Sequence, residues 1–209
     1  SLDPLNPNPI SQQKGVASPW LAFSHDYASG STVYASYGEG VELFAAPNNV
    51  NYTNAGQFLG VHRSKQVEVG TKGKSNKNLS WSASVFHIDR PLAYDYAYAR
   101  VVNGTQAHTG LDAGLQWAQK QWLFSGQAQW LHARISGAPL EIGNKPLNVP
   151  AITLRALAQY RWTEIPGLRT SLRLSHEGER RVMENGSITL PAWTTLDFAA
   201  HYETRIQGT

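Results

Sequence analysis

Seven histidines, His25, His62, His87, His108, His132, His176 and His201, are the residues of this chain best suited to hold a metal ion or move a proton. A metal site would need several of them at ligand spacing. No two lie close together and no HExxH pair occurs, so none is assigned to a metal. Cysteine is absent, which excludes thiolate ligands, disulfides and cysteine nucleophiles. Serine and aspartate occur without a GxSxG elbow or triad spacing, so no catalytic residue is assigned and the chain does not read as an enzyme. His132 or His201 beside a serine is the starting point left for a hydrolase on a barrel rim. Other residues suit recognition better. Tyr94, Tyr96 and Tyr98, with Arg100, offer phenol faces to pack on a ligand and polar groups to bond its edge.

Something must hold these groups, and the pattern around them is extended. Period two dominates from about residue 19. In 150–162, Ile152, Leu154, Ala156, Ala158, Tyr160 and Trp162 oppose Thr153, Arg155, Leu157, Gln159 and Arg161. In 110–117, Leu111, Ala113, Leu115 and Trp117 oppose Asp112, Gly114 and Gln116. The pattern predicts nine strands, at 19–28, 31–41, 63–73, 78–90, 105–118, 121–136, 149–163, 167–178 and 192–205, after a leading loop over 1–16. Several exceed ten residues, which is long for a soluble domain and matches the ~9–11 that a tilted strand needs to cross a bilayer. Short turns near 28–31, 73–77, 118–120 and 163–167 alternate with long loops near 42–62, 91–104, 137–148 and 179–191. Outer-membrane barrels alternate in this way because one rim carries tight turns and the other extended loops. The predicted fold is therefore all-β, part of an antiparallel up-and-down transmembrane β-barrel. On the polar faces Arg155, Glu177, Trp193 and Asp197 are expected toward the long-loop rim, with Gln127, Gln129 and Arg173 nearer mid-wall.

Composition agrees. The formal charge is +3 and the basic residues are spread, which argues against a nucleic-acid groove. No window approaches the ~18 apolar residues of a spanning helix. Seven Trp and nine Tyr exceed six Phe, a bias toward rings with one polar edge. Trp117, Trp122, Trp162 and Tyr27 fall beside the short turns on the apolar faces, where an interfacial girdle would lie. The rival arrangement is a soluble, carbohydrate-binding β-sandwich, with Leu154, Leu172, Phe198 and Trp81 in a dry interior between two sheets.

Four stretches, in order, resemble the barrel of TonB-dependent siderophore receptors. They are Ser18-Pro19-Trp20-Leu21-Ala22-Phe23 followed by Val33-Tyr34-Ala35-Ser36-Tyr37-Gly38-Glu39-Gly40; Arg63 to Lys72, which contains Val67-Glu68-Val69-Gly70; Ala83 to Arg90 followed by Val102 to Asp112; and Gly143-Asn144-Lys145-Pro146-Leu147-Asn148-Val149-Pro150-Ala151. Trp20 stands where the family pattern has Arg, and Val41 where it has an aromatic residue. The resemblance implies a wall segment similar to strands twelve to twenty of a barrel of about 22 strands around a plug. The plug and the last strands are expected to lie outside residues 1–209. It further implies a receptor in the bacterial outer membrane, in contact with outer-membrane lipid, that imports ferric siderophores through TonB acting on the plug. Iron would be cargo rather than cofactor. Tyr94, Tyr96, Tyr98, Arg100, Arg155, Glu177, Trp193 and Asp197 are the expected ligand contacts.

Overall fold

The computed structural model describes residues 15–28, 30–75, 78–139, 144–183 and 186–204. The loop expected over 1–16 lies almost wholly outside the described residues, as do Ser29, Asn76 and Lys77 of two short turns, parts of two long loops, and the end of the ninth predicted strand. The strands are β1 (Trp20–Ala28), β2 (Ser31–Ala45), β3 (Phe58–Ser75), β4 (Leu79–Tyr96), β5 (Ala99–Gln119), β6 (Trp122–Ser136), β7 (Ile152–Arg161), β8 (Leu168–Glu177), β9 (Arg180–Arg181), β10 (Thr189–Leu190) and β11 (Trp193–Tyr202). All nine predicted strands are present. They form one antiparallel sheet in the order β1-β2-β3-β4-β5-β6-β7-β8-β11, each beside its predecessor, while β9 and β10 make a small ladder within the connection from β8 to β11. Among the described residues β1 pairs only with β2, and β11 only with β8, so the sheet is open.

The sheet departs from expectation at the long-loop rim. β2 runs on to Ala45 and β3 begins at Phe58, which shortens the loop predicted over 42–62. The loop predicted over 91–104 is instead a hairpin, because β4 continues to Tyr96 and β5 starts at Ala99. Pro91 and Asn103-Gly104 look like loop residues in isolation, but they sit at an irregularity in the ladder: Pro91 faces Thr105 and Ala93 faces Val102. The extra residue lies on β5, where Asn103 and Gly104 together oppose Leu92, and pairing resumes beyond it. Gly104 is required there, since its φ is +90° and a Cβ would lie 2.6 Å from the Ser136 carbonyl oxygen. The tip is a two-residue turn, with Ala97 at φ 47° and Tyr98 at φ 61°, both left-handed, as a type I′ turn requires.

Register places the two faces. Phe23, Ala35, Val69, Val85, Leu111, Trp130 and Ile152 form one row across seven strands on the convex side. The adjacent row, Tyr34, Gly70, Ser84, Asp112, Gln129, Thr153 and Glu177, lies on the other side. That second face is concave and polar. Its exceptions include Phe86, which is buried and lies over Gly110, where any Cβ would strike the ring.

Four tryptophans, three on successive strands and one just past the end of the next, show how the wall is set. Trp81 on β4 shares a row with Leu115, Trp117 on β5 lies one row nearer the short turns, Trp122 on β6 a row beyond that, and Trp162 follows β7. A planar belt that descends one row per strand requires tilted strands, as in a membrane barrel. Ring contacts join much of the belt: Trp117 to Phe124 at 5.5 Å, Phe124 to Trp122 at 5.3 Å, Trp122 to Tyr160 at 4.7 Å and Tyr160 to Trp162 at 5.1 Å.

The chain exposes 14825 Å2, against about 9,600 Å2 for a compact protein of its mass. A single layer explains the excess. Leu154, Leu172 and Phe198 are exposed and Trp81 is half-buried, and Leu172 and Phe198 are register partners on one face. They do not share a dry interior, which removes the sandwich alternative.

Candidate functional site

The concave face carries a trough of about 690 Å3 lined by Ser80, Ser82, Gln116, Gln127, Arg155 and Arg173 among others. A second hollow of about 490 Å3 adjoins it, with Tyr34, Asp112 and Gln129 in its lining. Arg155 faces Gln127 and Ser175 across the ladder. Arg173 lies one row deeper, opposite Leu157 and Asp197. Asp197 was expected toward the outer rim, and the register moves it to mid-wall beside Arg173. Among the described residues, neither Arg155 nor Arg173 has an ion-pair partner within 4.0 Å. Two guanidinium groups thus face the lumen ready to accept a carboxylate or another anion. Glu177 and Trp193 pair at the rim as expected, but the carboxylate of Glu177 is already taken by Arg180 of β9.

The tyrosine cluster divides. Tyr94 is 3% exposed and packs with Leu92 and Ile135, with Val101 and Ala138 against them. It holds the hairpin onto β6 and is not available to a ligand, contrary to the expectation for that residue. Tyr96 and Tyr98 stand out at the tip, 53% and 80% exposed. Arg100 faces Asp95 across the hairpin and donates to its carboxylate at 3.0 Å.

Residues 46–57 complete the rim, and sequence reasoning missed their part. Tyr52 donates its hydroxyl to Asp95 at 2.8 Å, which raises the phenol above its ordinary value, first through that hydrogen bond and then through desolvation. The Asn54 amide nitrogen donates to the Arg100 carbonyl at 2.8 Å, and its amide oxygen accepts from the Arg100 N–H at 3.0 Å. The Thr53 N–H donates to the Tyr98 carbonyl at 2.7 Å. These partners lie 43–46 residues away in the chain, so no local pattern could disclose them. The one available signal was the run of amide and hydroxyl side chains from Asn51 to Asn54, which suits loop-to-backbone bonding.

Among the described residues no three His, Asp or Glu side chains gather as metal ligands. His108 on the concave face keeps a buried Nε2 without a partner among the described residues, close to the ion pair that Arg90 makes with Glu42 at 2.9 Å.

Comparison with solved structures gives the fold a context. The ferric preacinetobactin receptor BauA from Acinetobacter baumannii superposes with a TM-score of 0.74 at 20% identity, covering 91% of this chain and 30% of that one. The ferric yersiniabactin uptake receptor FyuA from Yersinia pestis gives 0.74 at 16% identity, covering 88% and 29%. The siderophore receptor PiuA from Acinetobacter baumannii gives 0.71 at 15%, covering 89% and 29%. At these identities the likeness is one of fold, and this chain spans less than a third of each receptor. No curated protein matches it by sequence. The model of one family, however, matches residues 2–208, nearly the whole chain. Its members are transport receptors rather than enzymes and depend on no cofactor, and this chain belongs to that family, the β-barrel of TonB-dependent receptor-like proteins.

Proposed function

We propose that this chain is a section of the wall of an outer-membrane receptor that imports ferric siderophores in a TonB-dependent way. The observation that carries the reading is the two-faced single layer. Its convex side is apolar with a slanting tryptophan belt, and its concave side is hydroxyl, amide and guanidinium. Lipid would cover the first, and the second would line the passage. Membership in the TonB-dependent receptor barrel family supports the transport role, and the receptors it superposes on are named for ferric siderophores. TonB coupling would act through a plug that the remainder of the receptor supplies.

Cargo would meet Tyr96, Tyr98 and Arg100 at the mouth, Trp193 and Glu177 at the rim, then Arg155, with Arg173 and Asp197 deeper in the wall. Tyr94 is left out of this set because it is buried. The test is uptake of iron-55 by iron-starved cells that rely on the full-length receptor, supplied as ferric desferrioxamine B (a hydroxamate) or ferric enterobactin (a catecholate). Uptake of one or both, abolished when TonB is absent, supports the proposal. Uptake independent of both receptor and TonB refutes it.

A further inference from the structure

The tip that presents Tyr96 and Tyr98 should not hold its shape unaided. Ala97 and Tyr98 both adopt left-handed backbone that side chains other than glycine rarely take, and such strain persists only where the surroundings impose it. Among the described residues one edge of the hairpin also lacks a paired strand. β6 pairs with β5 only as far as Thr105, so Ala99–Gly104 has a strand on the β4 side alone.

Residues 46–57 supply what is missing. The segment is internally braced: the Ala46 N–H donates to Gln57 at 2.8 Å, Gln57 to Asn54 at 2.9 Å, Tyr52 to Asn49 at 3.1 Å and Gly56 to Pro47 at 3.3 Å. From this braced loop Asn54 offers a donor and an acceptor to the N–H and C=O of a single residue, Arg100, as an adjacent strand would. Thr53 binds the Tyr98 carbonyl through both its N–H, at 2.7 Å, and its hydroxyl, at 3.2 Å, and so takes hold of a strained residue directly. The hydroxyl of Tyr52 and the guanidinium of Arg100 share the Asp95 carboxylate on the other strand.

We propose that residues 46–57 act as a positioning strap, working chiefly through Asn54, which fixes the outward aim of Tyr96 and Tyr98 for ferric siderophore binding. This rests on the receptor reading above and adds residues that touch no cargo themselves.

The experiment uses the full-length receptor in detergent, with two readouts. The first is hydrogen exchange over 98–101. Asn54→Ala removes both Arg100 bonds and should speed exchange there about tenfold or more, since each net bond is worth close to one such factor. Asn54→Asp keeps the acceptor and should fall between. Val50→Ala, at a fully exposed position of the strap, should change nothing. The second readout is affinity for ferric desferrioxamine B and ferric enterobactin. Tyr98→Ala should weaken whichever complex binds, Asn54→Ala should weaken it comparably, and the double variant should be no worse than the poorer single. Unchanged exchange in Asn54→Ala overturns the strap. Faster exchange with fully additive affinity losses overturns the positioning role. If the wild-type receptor binds neither complex, the cargo reading and the positioning role fail together, while the exchange readout still decides the strap.

Discussion

Ala113 sits on the convex face of β5 between Ala83 and Ala128, four residues from Trp117 in the aromatic belt. Four residues at about 3.3 Å each make roughly 13 Å of strand, or about 10 Å of depth at a tilt near 40°. The apolar band of such barrels is about 25 Å tall, so Ala113 lies close to its middle. Ala113→Arg should therefore cost about 2–4 kcal/mol, the range for a cation at the bilayer midplane. Ala107 occupies the same face ten residues from Trp117, at a depth of about 25 Å, and Ala107→Arg should cost about 0–1 kcal/mol. Gln116 points the other way into the trough, and Gln116→Arg should change stability by under about 1 kcal/mol. The assay is guanidinium titration of the full-length receptor refolded into phospholipid vesicles, with folded protein measured by heat-modifiable mobility on gels. The expected order of midpoints is wild type near Gln116→Arg and Ala107→Arg, with Ala113→Arg well below. If Gln116→Arg were the damaging change and Ala113→Arg silent, the assignment of lipid and lumen faces would be reversed. Equal losses at Ala113 and Ala107 would remove the depth argument.

Three further outcomes are expected. In vesicles containing brominated lipid, Trp122→Phe or Trp162→Phe should remove quenchable emission, whereas Trp193→Phe, on the concave face, should remove emission the lipid does not quench; equal quenching would contradict the facing. Gly104→Val should loosen the hairpin by roughly 2 kcal/mol or more, since both its φ and its clearance from Ser136 forbid a side chain; faster hydrogen exchange over 99–105 with 109–117 unchanged would register it. The bond from Tyr52 to Asp95 makes the folded phenol hold its proton more tightly than a free one. Its contribution is then complete below the ordinary tyrosine pKa of ~10 and is lost as pH rises through the higher folded value. Difference absorbance of wild type against Tyr52→Phe should show a tyrosinate that forms late, and one that forms at the ordinary pH would dissent.

The alternating residues by themselves determine most of the wall. A strand's two faces follow from a period of two that is written locally, so Leu111, Ala113, Leu115 and Trp117 had to share a side, as had Arg155, Leu157 and Gln159. The family resemblance rested on the same local text, through stretches such as Val67-Glu68-Val69-Gly70. What depended on pairing between distant segments was decided only by the tertiary structure. Pro91 and Gly104 read as loop in isolation, but the ladder between β4 and β5 pairs Pro91 with Thr105 and puts Gly104 in the bulge beside them, and the strands beyond it continue to Tyr96 and from Ala99. Tyr94 and Tyr96 are alike in type and lie two apart on one face of β4, yet one packs against Ile135 and the other faces solvent, because Tyr96 ends the strand at the turn, beyond the Leu92–Ile135 cluster. Asp197 and Arg173 became opposites through the register of β8 with β11. Asn54 acquired a role from a partner 46 residues away. Periodicity constrains a residue relative to its neighbours in the chain, whereas row, depth and partner depend on how separate strands are offset, and only the folded sheet specifies that offset.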